Sequence, residues 1–85
     1  MSQRLPPLRA IEAFVVVAET LSYAKAAHEL NLTKSAISRR IQSLESDLGV
    51  RLFRRSNKAL ELTADGEAYH GITGPAFDEI GRAHV

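Results

Sequence analysis

The chain has 85 residues, 45% hydrophobic and 25% charged, with a formal net charge of +1. That length holds one small domain and leaves little room for an enclosed substrate pocket, which favours a binding or assembly module over a complete enzyme. The composition argues against intrinsic disorder, the absence of cysteine excludes disulfides and thiolate metal sites, and no apolar run approaches the roughly 20 residues of a membrane span.

The opening Met1-Ser2-Gln3-Arg4-Leu5-Pro6-Pro7 carries no apolar signal segment, so the expected compartment is the cytoplasm. Pro6-Pro7 ends an extended leader and opens a helix over about 8–20, since proline suits a first helical turn. Leu8, Ile11, Phe14, Val15, Ala18 and Leu21 fall at helical spacing. Val16 and Val17 lie off that face, a surplus that fits either a second buried contact or simple wrapping by a small core. Ser22 is placed to cap a second helix over 23–30, with Tyr23, Ala26, Ala27 and Leu30 on one face. Asn31 suits a left-handed helix end, Leu32 can return to the core, and Thr33 can cap the next helix.

The third helix covers about 34–47, and Gly49 closes it. Ile37, Ile41, Leu44 and Leu48 form its apolar stripe; Ser35, Ser38, Arg39, Gln42 and Ser46 lie opposite, with Lys34 near the N-terminal edge. That polar face has no acid before Ser46, and Glu45 and Asp47 sit at the far end. After Gly49 the period becomes alternating. Val50, Leu52 and Phe53 lead into Arg54-Arg55, Ser56-Asn57-Lys58 reads as a turn, and Leu60-Glu61-Leu62 returns, which makes a hairpin with a basic tip. Because Arg54 and Arg55 alternate, both cannot face one surface equally, and the pattern does not say which does. Thr63 caps a last helix, with Asp65 and Glu67 favourable to its dipole and Tyr69, Ile72 and Ala76 at helical spacing. Gly66, Gly71 and Gly74-Pro75 weaken that helix, and a break or kink is expected near Pro75.

The charges are unevenly placed. Residues 1–62 hold ten Lys/Arg and six Asp/Glu, whereas residues 63–85 hold one Arg and four acids. Residues 33–60 alone hold seven basic and two acidic side chains. A polyanion is the partner this distribution favours.

Three features converge on one architecture. Ala27, Asn31 four later and Ile37 six after that have the small–turn–branched spacing of a helix-turn-helix. The second helix of that pair exposes Lys, Ser, Ser, Arg and Gln, donors and acceptors suited to base edges and phosphates in a major groove. A hairpin with Arg54, Arg55 and Lys58 follows as a wing. The expected fold is mainly α: a winged helix-turn-helix of three helices and a small β-hairpin, followed by a linker helix. Ser22, Ser35 and Ser38 have no His/Asp arrangement for catalysis, and His28, His70 and His84 are too far apart for a zinc site, so neither an enzyme nor a cofactor is expected. The competing reading is a winged helix used only as a protein-interaction module, which the basic exposed face argues against.

The matching residues are Leu21-Ser22-Tyr23-Ala24-Lys25-Ala26-Ala27, Leu30-Asn31-Leu32-Thr33, Ser35-Ala36-Ile37-Ser38-Arg39-Arg40-Ile41, Leu44-Glu45, Leu48-Gly49-Val50-Arg51-Leu52-Phe53-Arg54-Arg55 and Leu62-Thr63-Ala64-Asp65-Gly66. In this order they resemble the N-terminal DNA-binding domain of LysR-type transcriptional regulators. Leu5-Pro6-Pro7-Leu8 is similar to the subgroup related to the glycine-cleavage regulator. The resemblance implies a bacterial regulator that binds dyad sites in double-stranded promoter DNA as a homodimer through its linker helix, with a small-molecule inducer bound by a further domain. By position it assigns base contacts to Lys34, Ser35, Ser38 and Arg39, and phosphate contacts to Thr33, Arg40 and Arg54. Arg55 and Lys58 would enter the minor groove from the wing, and Tyr69, Ile72 and Ala76 would serve dimerisation. The family often has Gln or Pro where this chain has Lys34 and Ser35, so the target sequence does not transfer from a relative. The implied divisions are 6–63 for the DNA-binding domain, with the helix-turn-helix at about 23–42, and 64–79 for the start of the linker helix. Residues 80–85 can be encoded by a nucleotide string resembling a common sequencing adapter, so a non-native tail is the expectation there.

Overall fold

A computed structural model describes residues 7–77. Six elements follow in order: α1 (Leu8–Thr20), α2 (Tyr23–Leu30), α3 (Lys34–Leu48), β1 (Phe53–Ser56), β2 (Ala59–Leu62) and α4 (Ala64–Phe77). The architecture is the expected one, mainly helical with one two-stranded antiparallel hairpin. Residue 6, residues 78–79 of the expected linker helix and the expected tail at 80–85 lie outside the described residues.

α1 is the central helix, packed on α2, α3 and α4. Phe14, Val15, Val16 and Val17 are all buried, so the surplus valines are wrapped by the chain's own core. Ile37, Ile41 and Leu44 come from α3, and Leu52 from the segment before the hairpin, to complete that core. The Phe14 ring meets Phe53 at 5.5 Å and Tyr69 at 5.3 Å between centroids. Leu8 and Leu21, placed on the apolar face by spacing, are instead 67% and 46% exposed. Leu21 is the left-handed C-cap of α1 (φ 52°), so it has left the helical path that would have turned it inward.

Local capping sets the other boundaries. Ser22 Oγ accepts from the Lys25 N–H at 3.0 Å, and Thr33 Oγ1 from the Ala36 N–H at 3.0 Å. Asn31 (φ 61°) and Gly49 (φ 75°) end α2 and α3 in the left-handed region. The hairpin pairs Phe53 with Leu62 through to Ser56 with Ala59, so its turn is only Asn57-Lys58. Both have positive φ, 51° and 68°, which is the type I′ geometry that matches strand twist.

Of the break or kink expected near Pro75 in α4, the break is absent. The helix runs uninterrupted through Pro75 to Phe77. The proline removes the N–H that would bond the Gly71 carbonyl, but Gly71 is exposed and water can take that carbonyl. Thr63 Oγ1 starts α4 by accepting from the Gly66 N–H at 2.9 Å while donating to the Arg51 carbonyl at 2.6 Å. The buried positions of α4 are Gly66, Thr73 and Gly74. A Cβ on Gly66 would collide with the Leu52 carbonyl oxygen and stand 2.9 Å from Leu62 Cδ2, so only glycine lets α4 sit against the base of the hairpin.

Candidate nucleic-acid interface

The turn between α2 and α3 is built from small and branched residues. Ala27 (6% exposed) admits the backbone of the next helix, and Ile37 (0%) fills the space between them. The Leu32 N–H bonds the Ala27 carbonyl at 2.9 Å, which holds α3 at a fixed angle to α2. That angle leaves Lys34, Ser35, Arg39 and Gln42 exposed along one side of α3, with Ser38 and Arg40 half-buried. Gln42 Nε2 lies 3.5 Å from Ser38 Oγ, a long contact that leaves both groups able to take other partners. Thr33 Oγ1 accepts the capping bond, which leaves its O–H able to donate to another partner.

The wing is fastened to α3 by Glu45, which the sequence places at the far end of the polar face and among the family-matching residues without a role. Glu45 Oε2 accepts from the backbone N–H of Leu52 at 2.8 Å and of Phe53 at 3.4 Å, and Oε1 lies 3.8 Å from Arg51 Nε. An acid on the last turn of a helix, just before a glycine cap and an unpaired strand entry, is the signal that could have found it. The charged bonds fix where β1 begins relative to the polar face of α3.

The structure separates the two adjacent arginines. Arg54 pairs across the strands with Glu61, its NH2 group 3.2 Å from Glu61 Oε1. It is not brought to the wing cleft. Arg55 lines that cleft of about 430 Å³ with Lys34 and Lys58, and with Ser22, Tyr23 and Ala24 at the start of α2. Among the described residues, none of Lys34, Arg39, Arg40, Arg55 and Lys58 pairs with an acid. Burial first, then the Glu45 carboxylate, pushes the Tyr23 phenol above its ordinary value near 10, so it stays a neutral O–H beside the cleft.

Lys58 occupies a costly place. The second position of this turn type favours glycine, and a non-glycine residue there costs roughly 1 kcal/mol. The chain nonetheless puts an ammonium group at the tip. On α4, Tyr69 is half-buried against Phe14, Ile72 is 72% exposed and Ala76 is exposed, so the three do not form one outward stripe.

The family model described as "Bacterial regulatory helix-turn-helix protein, lysR family" matches residues 8–67. The chain belongs to the lysR family. Among LysR relatives, the glycine cleavage system transcriptional activator of Escherichia coli strain K12 is 51% identical over 83 residues, 98% of this chain but 27% of the relative. The chain thus spans about a quarter of the length of the curated relatives it matches. The fold is shared with the crystal structure of a CbnR_DBD–DNA complex (TM-score 0.78, 38% identity, 91% of this chain and 88% of that one). It is shared also with a BenM_DBD/benA site 1 DNA complex (TM-score 0.81, 30% identity, 91% and 90%). Among the described residues of this LysR chain, no helix is long and apolar enough to cross a membrane.

Proposed function

We propose that this chain is the sequence-reading head of a bacterial LysR-type transcription regulator and binds double-stranded promoter DNA in the cytoplasm without catalysing a reaction. α3 enters the major groove. Lys34, Ser35, Ser38 and Arg39 meet base edges there, and Thr33 and Arg40 hold phosphates. Arg55 and Lys58 reach the neighbouring minor groove from the wing. Arg54 is the weakest phosphate contact of the set, because Glu61 already neutralises it. The observation that carries this reading is the run of basic side chains that have no acidic partner among the described residues, on a capped helix and beside a basic wing fixed to it. Such a surface lowers its electrostatic energy against a polyanion, and phosphate contacts supply salt-sensitive affinity while base contacts supply choice. The domain occupies about residues 6–63, and α4 begins the linker helix that pairs two copies, with Ile72 and Ala76 at the contact and Tyr69 beneath them. A small-molecule inducer acts on a part of the regulator beyond these residues.

A salt titration against duplex DNA tests the reading. The logarithm of the association constant should fall linearly with the logarithm of salt concentration. Arg39→Ala should cost about 1–3 kcal/mol at a preferred site and relax one position. Failure of the wild-type chain to bind any duplex at low salt would remove the proposal.

A further inference from the structure

The wing cleft accounts for one side of α3, and the other side carries a second basic cleft. A depression of about 360 Å³ lies between the start of α1 and the middle of α3. Arg9, Arg39 and Arg40 line it, with Ala10, Ala36 and Ser43 as its small floor and wall residues. Among the described residues none of these arginines pairs with an acid; Glu12, one turn on from Arg9, does not reach it. The first turn of α1 carries no acidic residue, and among the described residues no side chain caps it, so the positive end of the α1 dipole adds to the same field. Three guanidinium groups around one concave surface repel one another, a cost that a bound anion offsets.

The helical wheel shows what lies there. At about 100° per residue, Lys34 and Ser38 sit on one edge of the exposed arc of α3, Ser35 and Arg39 near its middle, and Ala36, Arg40 and Ser43 on the other edge. A helix with its side chains is about 10–12 Å across, close to the roughly 12 Å width of the major groove. Both edges of a helix seated in that groove therefore face a sugar–phosphate wall. Resting on the DNA-binding reading above, we infer that Arg9 and Arg40 form a phosphate clamp for the strand opposite the one that flanks the wing-side edge of α3. The recognition helix is thus gripped from both sides, and Arg9, on an element outside the helix-turn-helix, is a DNA-binding residue. Its forked donors suit two phosphate oxygens, a geometry that a lysine ammonium does not reproduce.

The test measures binding of the full 85-residue chain to a fluorescein-labelled duplex over a range of salt concentrations. Arg9→Ala should weaken binding about tenfold on every sequence and flatten the salt slope by about 0.9. Arg9→Lys should keep the slope and recover only part of the affinity. Arg9 is exposed, so neither change disturbs the core. Methylphosphonate substitution of the phosphates on one strand should abolish the Arg9→Ala effect, and substitution on the strand that governs the Lys58→Ala effect should not. If Arg9→Ala matches wild type in affinity and slope while Lys58→Ala weakens binding, the clamp is wrong and the DNA reading stands. If both arginine and lysine effects map to one strand, the two-sided arrangement is wrong. If the wild-type chain binds no duplex, the DNA reading fails and the clamp with it.

Discussion

α3 and α4 are nearly equal in length, 15 and 14 residues, yet they are held in the fold by different means. α3 buries large branched side chains (Ile37, Ile41 and Leu44) and turns a continuous polar face outward. α4 buries Gly66, Thr73 and Gly74; at Gly66 the missing side chain lets it sit against the Leu52 backbone, and further along Tyr69 packs its half-buried ring on Phe14. Its exposed residues run from Asp65, Glu67 and Ala68 near its start to Ile72, Pro75 and Ala76 near its end. The helix with the continuous charged face is anchored by bulk, and the helix that follows the hairpin is seated at its start by close approach.

That contrast can be broken or sharpened by substitution. The largest effect should follow Leu44→Ala, which empties a fully buried site in α3 and should cost about 2–5 kcal/mol, measured by urea denaturation. Gly66→Ala should cost about 1–3 kcal/mol, because the added methyl meets the Leu52 backbone, and should shift α4 at its start. A neutral outcome there would mean that α4 is not seated by close approach. Lys58→Gly should act in opposite directions on two readouts. It should stabilise the fold by about 0.5–1 kcal/mol by relieving the positive φ, and it should flatten the salt slope of DNA binding by about one. A substitution that stabilises the wing and strengthens binding would contradict a functional reason for the lysine.

The smallest effect concerns pH. Burial raises the phenol of Tyr69, and burial with Glu45 raises that of Tyr23, above the ordinary 10.0. The neutral form is the one the fold favours. This contribution is therefore fully present below about pH 10 and is lost as pH rises through the raised folded values. A denaturation midpoint that increases between about pH 9 and 11 would contradict it.

Much of the fold was legible because its signals are local. Ser22, Asn31, Thr33 and Gly49 mark helix ends through bonds to neighbours within about one turn, and all four cap as their types require. The α3 stripe was legible because large apolar residues recur at a helical period. What was not legible depends on partners distant in sequence. Glu45 bonds backbone groups seven and eight residues away, across a turn whose path no periodicity describes. The roles of Arg54 and Arg55 separate only once the register sets Glu61 opposite Arg54. The inward face of α4 is invisible to a search for apolar stripes, because glycine contributes no hydrophobic signal. The cleft at Arg9 joins residues about thirty apart.

The central claim is that the exposed face of α3 chooses sequence. Selection of bound duplexes from a random pool, run with the wild-type chain and with Arg39→Ala, tests it most directly. The account predicts a preferred half-site for the wild type and, for the variant, the same half-site with one position relaxed. Identical preferences for the two chains, or no enrichment by the wild type, would contradict it.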